Sequence, residues 1–132
     1  MGAQAVARRG LTLDTGALIA AEKRARSFWA LWERALELRA PVTIPAAVLG
    51  QVWRGNSPVV ARLLASCNVE NLDETAAKRA GELLAASRTS DVVDASVVVG
   101  AAARGDTILT SDPEDIARLV AVLGKPVQVV TL

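Results

Sequence analysis

The chain has 132 residues, with 15 Lys+Arg against 14 Asp+Glu, one Cys, no His and no Tyr. Without His there is no Ser-His-Asp or Cys-His nucleophile, no HExxH zinc site and no imidazole acid or base near neutral pH, and a single Cys excludes a CxxC pair, a zinc ribbon and an internal disulfide. Carboxylates are the main polar groups left to hold a metal or move a proton, and they are unevenly spread: residues 1–66 carry nine Lys/Arg and four acids (+5), residues 67–132 six and ten (−4).

In chain order, residues 1–10 form an N-terminal extension and residues 11–132 a single domain. Leu11-Thr12-Leu13-Asp14 predicts a buried strand, and Thr15-Gly16 opens into a helix from about Ala17. Phe28, Leu31, Trp32, Ala35 and Leu36 recur at helical spacing, with Glu33, Arg34 and Glu37 on the other face. Val42-Thr43-Ile44 is a short strand stopped by Pro45. Ala46 to Trp53 reads as helix, Gly55-Asn56-Ser57-Pro58 breaks it, and Val59 to Ala65 is helical again. Cys67 to Leu72 predicts a strand, Asp73 caps a helix to Ser87, and Ser90-Asp91 caps another that runs to Arg104 and closes at Gly105. Thr107 to Thr110 is a strand, Ser111-Asp112-Pro113 starts a helix to Leu123, Gly124 ends it, and Val127 to Val130 is the last strand.

The order β-α-α-β-α-α-β-α-α-β-α-β predicts an α/β protein: a three-layer α/β/α sandwich around a mostly parallel sheet. At 13.8 kDa folding buries about two-thirds of the unfolded surface, enough for one core. The longest charge-free run, Ala40 to Trp53, has 14 residues and two prolines, whereas a membrane span needs about 20 apolar residues. Arg8-Arg9 stands ahead of an apolar stretch, but Asp14 interrupts it and no cleavage site follows. Cytoplasmic placement is expected, and the lone Cys67 agrees with it.

In open parallel sheets ligands sit outside the carboxyl ends of the strands. Asp14 ends the first strand, and Asp112 and Asp115 follow the Thr107–Thr110 strand, so these three converge on one edge. Asp91 and Asp94, three apart at a helix start, share a helix face. Crowded carboxylates cannot all ionise unless a cation neutralises them, and hard oxygen donors select Mg²⁺ or Mn²⁺. Each acid also has a structural explanation: Asp91 or Ser90, and Ser111 or Asp112, are expected helix caps. Asp14, ending an apolar strand, and Asp94, opening an apolar helix, are the acids hardest to explain structurally. Trp29, Trp32 and Trp53 could stack on bases, but Trp29 and Trp32 sit on or beside an apolar helix face and fit a core or interface better.

The stretches Leu13–Leu18 (LDTGAL), Ile44–Arg54 (IPAAVLGQVWR), Asp91–Ala95 (DVVDA) and Leu109–Ile116 (LTSDPEDI) together resemble PIN-domain proteins, and among them VapC-like toxins of toxin–antitoxin pairs. The resemblance runs from about Leu11 onward, with the motifs in order. It implies a Mg²⁺- or Mn²⁺-dependent endoribonuclease that cleaves RNA by a metal-activated water and is blocked by a cognate small antitoxin, with a homodimer as its assembly. Carried over, Asp14, Asp94 and Asp112 are metal ligands, with Asp115 or Asp91 as a further one, Asp14, Asp94, Asp112 and Asp115 form the catalytic set, and Thr110 and Ser111 line the pocket. Where the family usually has a Glu, this chain has Gln51, and Asp91, one turn before Asp94, is the residue able to restore the missing charge. The alternative is a catalytically weakened PIN-fold RNA-binding or protein-interaction module. Arg24, Arg26, Arg54 and Arg62 in the basic half are the expected contacts to the RNA backbone. An antitoxin helix or strand is expected along the Trp29/Trp32 and Val48/Val52 surfaces.

Overall fold

The computed structural model describes residues 10–132, so the extension expected over residues 1–10 lies outside the described residues except for Gly10. Strands β1 (Leu11–Leu13), β2 (Val42–Pro45) and β4 (Thr107–Thr110) are buried at every position. A strand covered on both faces carries no polar alternation, which is why each reads as a short apolar and threonine run. β3 (Asn68–Glu70) and β5 (Val129–Thr131) form the two edges of one sheet in the order β3-β2-β1-β4-β5. All four pairings are parallel, which sharpens the expected mostly parallel sheet to an entirely parallel one.

Seven helices complete the described chain: α1 (Thr15–Glu22), α2 (Arg26–Glu37), α3 (Ala46–Val52), α4 (Pro58–Leu64), α5 (Glu74–Ser87), α6 (Val92–Arg104) and α7 (Pro113–Leu123). They pack in two groups, α1 with α2, α3 and α4, and α5 with α6 and α7, giving the expected α/β/α layering. Helix α6 is buried without a break from Ala95 to Ala101; a helix apolar on all sides belongs inside, and α6 touches β1, β2 and β4. No described helix is long and apolar enough to cross a membrane.

Element ends shift by a residue or two from the expected ones. Helix α1 begins at Thr15 rather than Ala17 because Asp14 is its cap, Oδ1 accepting the Ala17 amide at 2.8 Å. The edge strands are shorter than their apolar runs, since each has a partner on one side only. Phe28, Trp29 and Trp32 form a compact aromatic group, with Phe28 and Trp32 stacked at 6.2 Å and Trp29 edge-on to both. Trp32 and Val48 are buried in the core. This corrects the expectation that they face a partner: their apolar area is already covered by the chain itself.

One buried polar network ties the layers together. Thr12 Oγ1 on β1 donates to Asp106 Oδ2 at 2.8 Å, and Arg104, ending α6, donates from Nε to the same Asp106 oxygen at 2.9 Å and from Nη2 to Thr12 Oγ1 at 2.9 Å. Arg104 Nη1 also pairs with Glu70 on β3. Burial opposes the Arg104 charge, but its bonds to Asp106 and Glu70 outweigh that and hold its pKa up. Gly10 leaves room for this network, because a Cβ there would stand 2.2 Å from Asp106 Oδ1 and 3.3 Å from the Pro41 ring.

Candidate active site

Strand β1 is followed in sequence by a crossover to β2 on one side, while β4 lies on its other side. The gap between the carboxyl ends of β1 and β4 is therefore the topological switch point, where open α/β sheets bind ligands. Leu13 pairs with Leu109, which brings Asp14 level with Thr110. The Thr110 hydroxyl accepts the Asp112 amide at 3.0 Å and is directed at the Asp14 carboxylate. Asp112 stands at the N-cap position of α7 without making a side-chain cap, so its carboxylate is free of the role the sequence offered it. Gly16 seats the two strand-end turns against each other: a Cβ there would lie 2.2 Å from Ser111 Oγ and 3.1 Å from the Ser111 amide.

Asp14 is 5 % exposed. Burial pushes its carboxyl pKa upward and Asp112 adds repulsion, against hydrogen bonds from Thr110 and the Ala17 and Gly16 amides that favour the charge. Asp94 is the hub of the cluster. Burial, then repulsion from Asp91, Asp14, Asp115 and Asp112 in that order, pushes its pKa up to about 6. The other four aspartates named from the sequence thus all bear on Asp94 at one end of the sheet. Asp91 is also the cap of α6, its Oδ1 accepting the Asp94 amide at 3.0 Å, so of the two residues offered as caps, Ser90 and Asp91, Asp91 takes the role and keeps its second oxygen. Asp91, Asp94 and Asp115 line a cleft of about 220 Å³.

Gln51 is exposed on α3 and accepts a hydrogen bond from Thr15 Oγ1 at 2.5 Å, which ties it to the residue next to Asp14. The four arginines named from the sequence do not line the aspartate cleft. The eight residues of α1, about 12 Å of helix, separate Asp14 from Arg24 and Arg26. Arg54 folds back on the Gly50 and Trp53 carbonyls, and Arg62 lies 5.6 Å over the Trp29 ring. The basic residue that does line the cleft is Arg118 on α7, which the sequence reading missed. Its signal was present: a cation one helical turn after Asp115.

The donor set fits a hard divalent cation by its chemistry. It consists of aspartate oxygens, with Asp14 buried, Asp94 half-buried and Asp91, Asp112 and Asp115 exposed, and burial together with the neighbouring negative charge raises the Asp94 pKa, a condition that a cation relieves. Among the described residues no three His, Cys, Asp or Glu side chains are already arranged to hold an ion. Cys67 plays no part, since burial pushes its thiol up to about 12 and leaves it unreactive.

The PIN domain family model matches residues 11–121. Among solved structures, a chain of VapBC2 from Rickettsia felis bound to a DNA fragment from its promoter superposes with a TM-score of 0.70 at 17% identity, covering 92% of this chain and 98% of that one. A chain of a toxin–antitoxin complex from Klebsiella pneumoniae superposes with a TM-score of 0.65 at 21% identity, covering 82% and 91%. At these identities the likeness is one of fold. A search of curated proteins finds no match.

Proposed function

The chain belongs to the PIN-domain family, and we propose that it is a VapC-like toxin, a Mg²⁺- or Mn²⁺-dependent endoribonuclease held in check by a small antitoxin. The observation that carries this reading is the position of Asp94, pressed by four other aspartates at the carboxyl ends of β1 and β4. Such repulsion costs stability, and a bound cation together with an anionic substrate would relieve it.

Asp14 and Asp94 are the principal ligands, with Asp112 and one of Asp91 or Asp115 completing the set. A bound divalent ion supplies Lewis-acid polarisation of a phosphodiester and a hydroxide-like water at neutral pH. The chain's own residues do the remaining work. Thr110 stands beside the Asp14 carboxylate, favouring its charge, and its hydroxyl accepts the Asp112 amide at the start of α7. Asp14 has one oxygen held by the Ala17 amide, which leaves the other to face the cluster in a defined orientation. Ser111 is seated against Gly16 beside Asp14 and does not line the cleft of Asp91, Asp94 and Asp115. The chemistry implies products with 5′-phosphate and 3′-hydroxyl ends. Arg24, Arg26, Arg54 and Arg62 serve RNA beyond the cleft, where contacts position the strand without reading sequence.

The antitoxin reading rests on the same charge imbalance, because an Arg or Lys side chain inserted among the aspartates neutralises them as an ion does. Ile19, Leu36 and Trp53 are the exposed large apolar side chains on α1, α2 and at the end of α3, and they replace Trp32 and Val48 as the apolar contact for such a partner, or for a second copy in a homodimer. The second reading, an RNA-binding module with weakened cleavage, is favoured by one observation: Gln51 brings no charge and is occupied by Thr15.

The test is incubation of an end-labelled RNA panel with Mn²⁺. Cleavage that is lost in Asp14→Ala, and suppressed by a co-expressed small basic partner that also raises the melting temperature, is expected. RNA binding without cleavage in any divalent ion selects the second reading, and wild-type cutting by folded Asp14→Ala overturns the first.

A further inference from the structure

In the acidic half of the chain, Arg104 and Arg118 both lie on helices beside aspartates, and they are used differently. Arg104 is consumed by Asp106, Glu70 and Thr12. Arg118 lines the cleft with Asp91, Asp94 and Asp115, yet among the described residues no carboxylate comes within the 4.0 Å of an ion pair with it. It is exposed, and the neighbouring Leu119 is buried and anchors that turn of α7. A guanidinium left unpaired beside three carboxylates keeps its planar donor fork for another anion.

A phosphodiester entering this cleft meets mostly like charge. A divalent ion held by the aspartates would offset part of it, but a strand must first be drawn across the rim, and Arg118 is the cation placed there by the fold. We propose that Arg118 binds a non-bridging phosphate oxygen of the single-stranded RNA substrate at the cleft and so positions the strand over Asp94. This rests on the nuclease reading above. It assigns Arg118 a role opposite to that of the aspartates: removing it weakens RNA binding while leaving the cation-binding acids with less positive charge beside them.

The two effects have opposite signs, and that makes the assignment testable. With a fluorescein-labelled single-stranded RNA, Arg118→Gln is expected to raise Kd and KM about tenfold and to lower the slope of log Kd against log salt by roughly 0.7, one phosphate contact on a single strand. kcat should change by less than about threefold, and Mn²⁺ should bind as tightly as to wild type or more tightly. Arg118→Lys keeps a point charge and should restore most of the salt slope and part of the affinity. Gln is close to Arg in helix propensity, and an unchanged melting temperature verifies the fold of both variants. If wild type cleaves RNA and Arg118→Gln shows unaltered Kd and salt slope, the Arg118 assignment fails and the nuclease reading stands. A joint loss of RNA and Mn²⁺ binding in Arg118→Gln also overturns it, since Arg118 would then be shaping the acidic cluster. If wild type neither binds nor cleaves RNA in Mn²⁺ or Mg²⁺, both readings fall together.

Discussion

The molecule contains two clusters of carboxylates around the same sheet, and they are treated in opposite ways. At one, Asp106 is 6 % exposed and is matched by Arg104 and Thr12, with Glu70 closing the far side of the guanidinium. At the other, Asp14, Asp91, Asp112 and Asp115 all bear on Asp94, and Arg118 stands near with no ion pair among the described residues. A buried charge with a complete set of partners fixes β1, β3, β4 and α6 in place. A half-buried set of like charges costs stability and holds binding capacity in reserve. Each cluster has a glycine at its rim, Gly10 against Asp106 and Gly16 against Ser111. The contrast separates acids that are paired within the fold from acids that are left without a cationic partner among the described residues.

The sharpest way to break the contrast is to remove one charge from each cluster. Asp94→Asn should abolish Mn²⁺-dependent RNA cleavage, by about a thousandfold or more, the equivalent of the several kcal/mol that metal-assisted chemistry supplies. The metal-free protein should melt no lower than wild type, because repulsion has been relieved. Asp106→Asn should do the reverse. Breaking charge-assisted bonds to Arg104 and Thr12 costs about 2–3 kcal/mol, a fall of roughly 10 °C in melting temperature at this size, with cleavage per folded molecule unchanged. If Asp106→Asn loses activity without losing stability, the division into a structural and a functional cluster is wrong.

A smaller effect separates the metal ligands from the cap. Asp91 caps α6 and also faces Asp94, so Asp91→Asn should keep much of the cap but weaken Mn²⁺ binding about tenfold, with Gln51→Glu restoring part of the affinity. An Asp91→Asn variant that titrates with Mn²⁺ like wild type would leave Asp91 as a cap only.

The open cluster should also be visible in the pH dependence of the metal-free protein. The Asp94 carboxyl has an ordinary value of 3.8 and is pushed up to about 6 by burial and its four neighbours. Folded protein therefore holds a proton that unfolded protein has lost between these values. The associated stability is fully present below about pH 4 and is lost as pH rises through 6. In EDTA, the melting temperature should accordingly be less favourable at pH 7 than at pH 5 relative to Asp94→Asn, and saturating Mn²⁺ should raise it most at pH 7. Identical pH profiles for wild type and Asp94→Asn would remove the repulsion argument.

The mildest test uses the two glycines. Gly10→Ala drives a methyl group into Asp106 Oδ1, on a carboxylate whose other oxygen, Oδ2, is held by Thr12 and Arg104, and should cost about 1–3 kcal/mol by overpacking. Gly16→Ala meets first the Ser111 hydroxyl, which can rotate away, and then the Ser111 amide at 3.1 Å. The gain in helix propensity, about 0.5–1 kcal/mol, offsets the shift there. Its melting temperature should stay within a few degrees of wild type while cleavage falls several-fold as the β1 and β4 turns part. Equal stability losses at Gly10 and Gly16 would show that the two rims are packed alike.

The element order was legible in the sequence because its signals are local. Capping by Asp73 and Asp91, left-handed glycines at 105 and 124, and short apolar runs for β1, β2 and β4 each act within a few residues, whereas the capping of α1 by Asp14 was not read from the sequence. Asp14, Asp94, Asp112 and Asp115 were legible as a group from the rule that parallel sheets bind at their carboxyl ends, together with the resemblance of four motifs to PIN-domain proteins. What the sequence could not distinguish were groups with the same local setting and different long-range neighbours. Arg104 and Arg118 both lie on helices near aspartates, and only the adjacency of β1 and β4, which joins Thr12 to Asp106 across 94 positions, decides that one is spent inside the fold and the other is left at the cleft. The burial of Trp32 and Val48, and the tie between Gln51 and Thr15, were settled the same way. Local propensity sets where a helix or strand begins and ends, whereas pairing of charges and covering of apolar faces depend on which elements the sheet order brings within a few ångströms of one another.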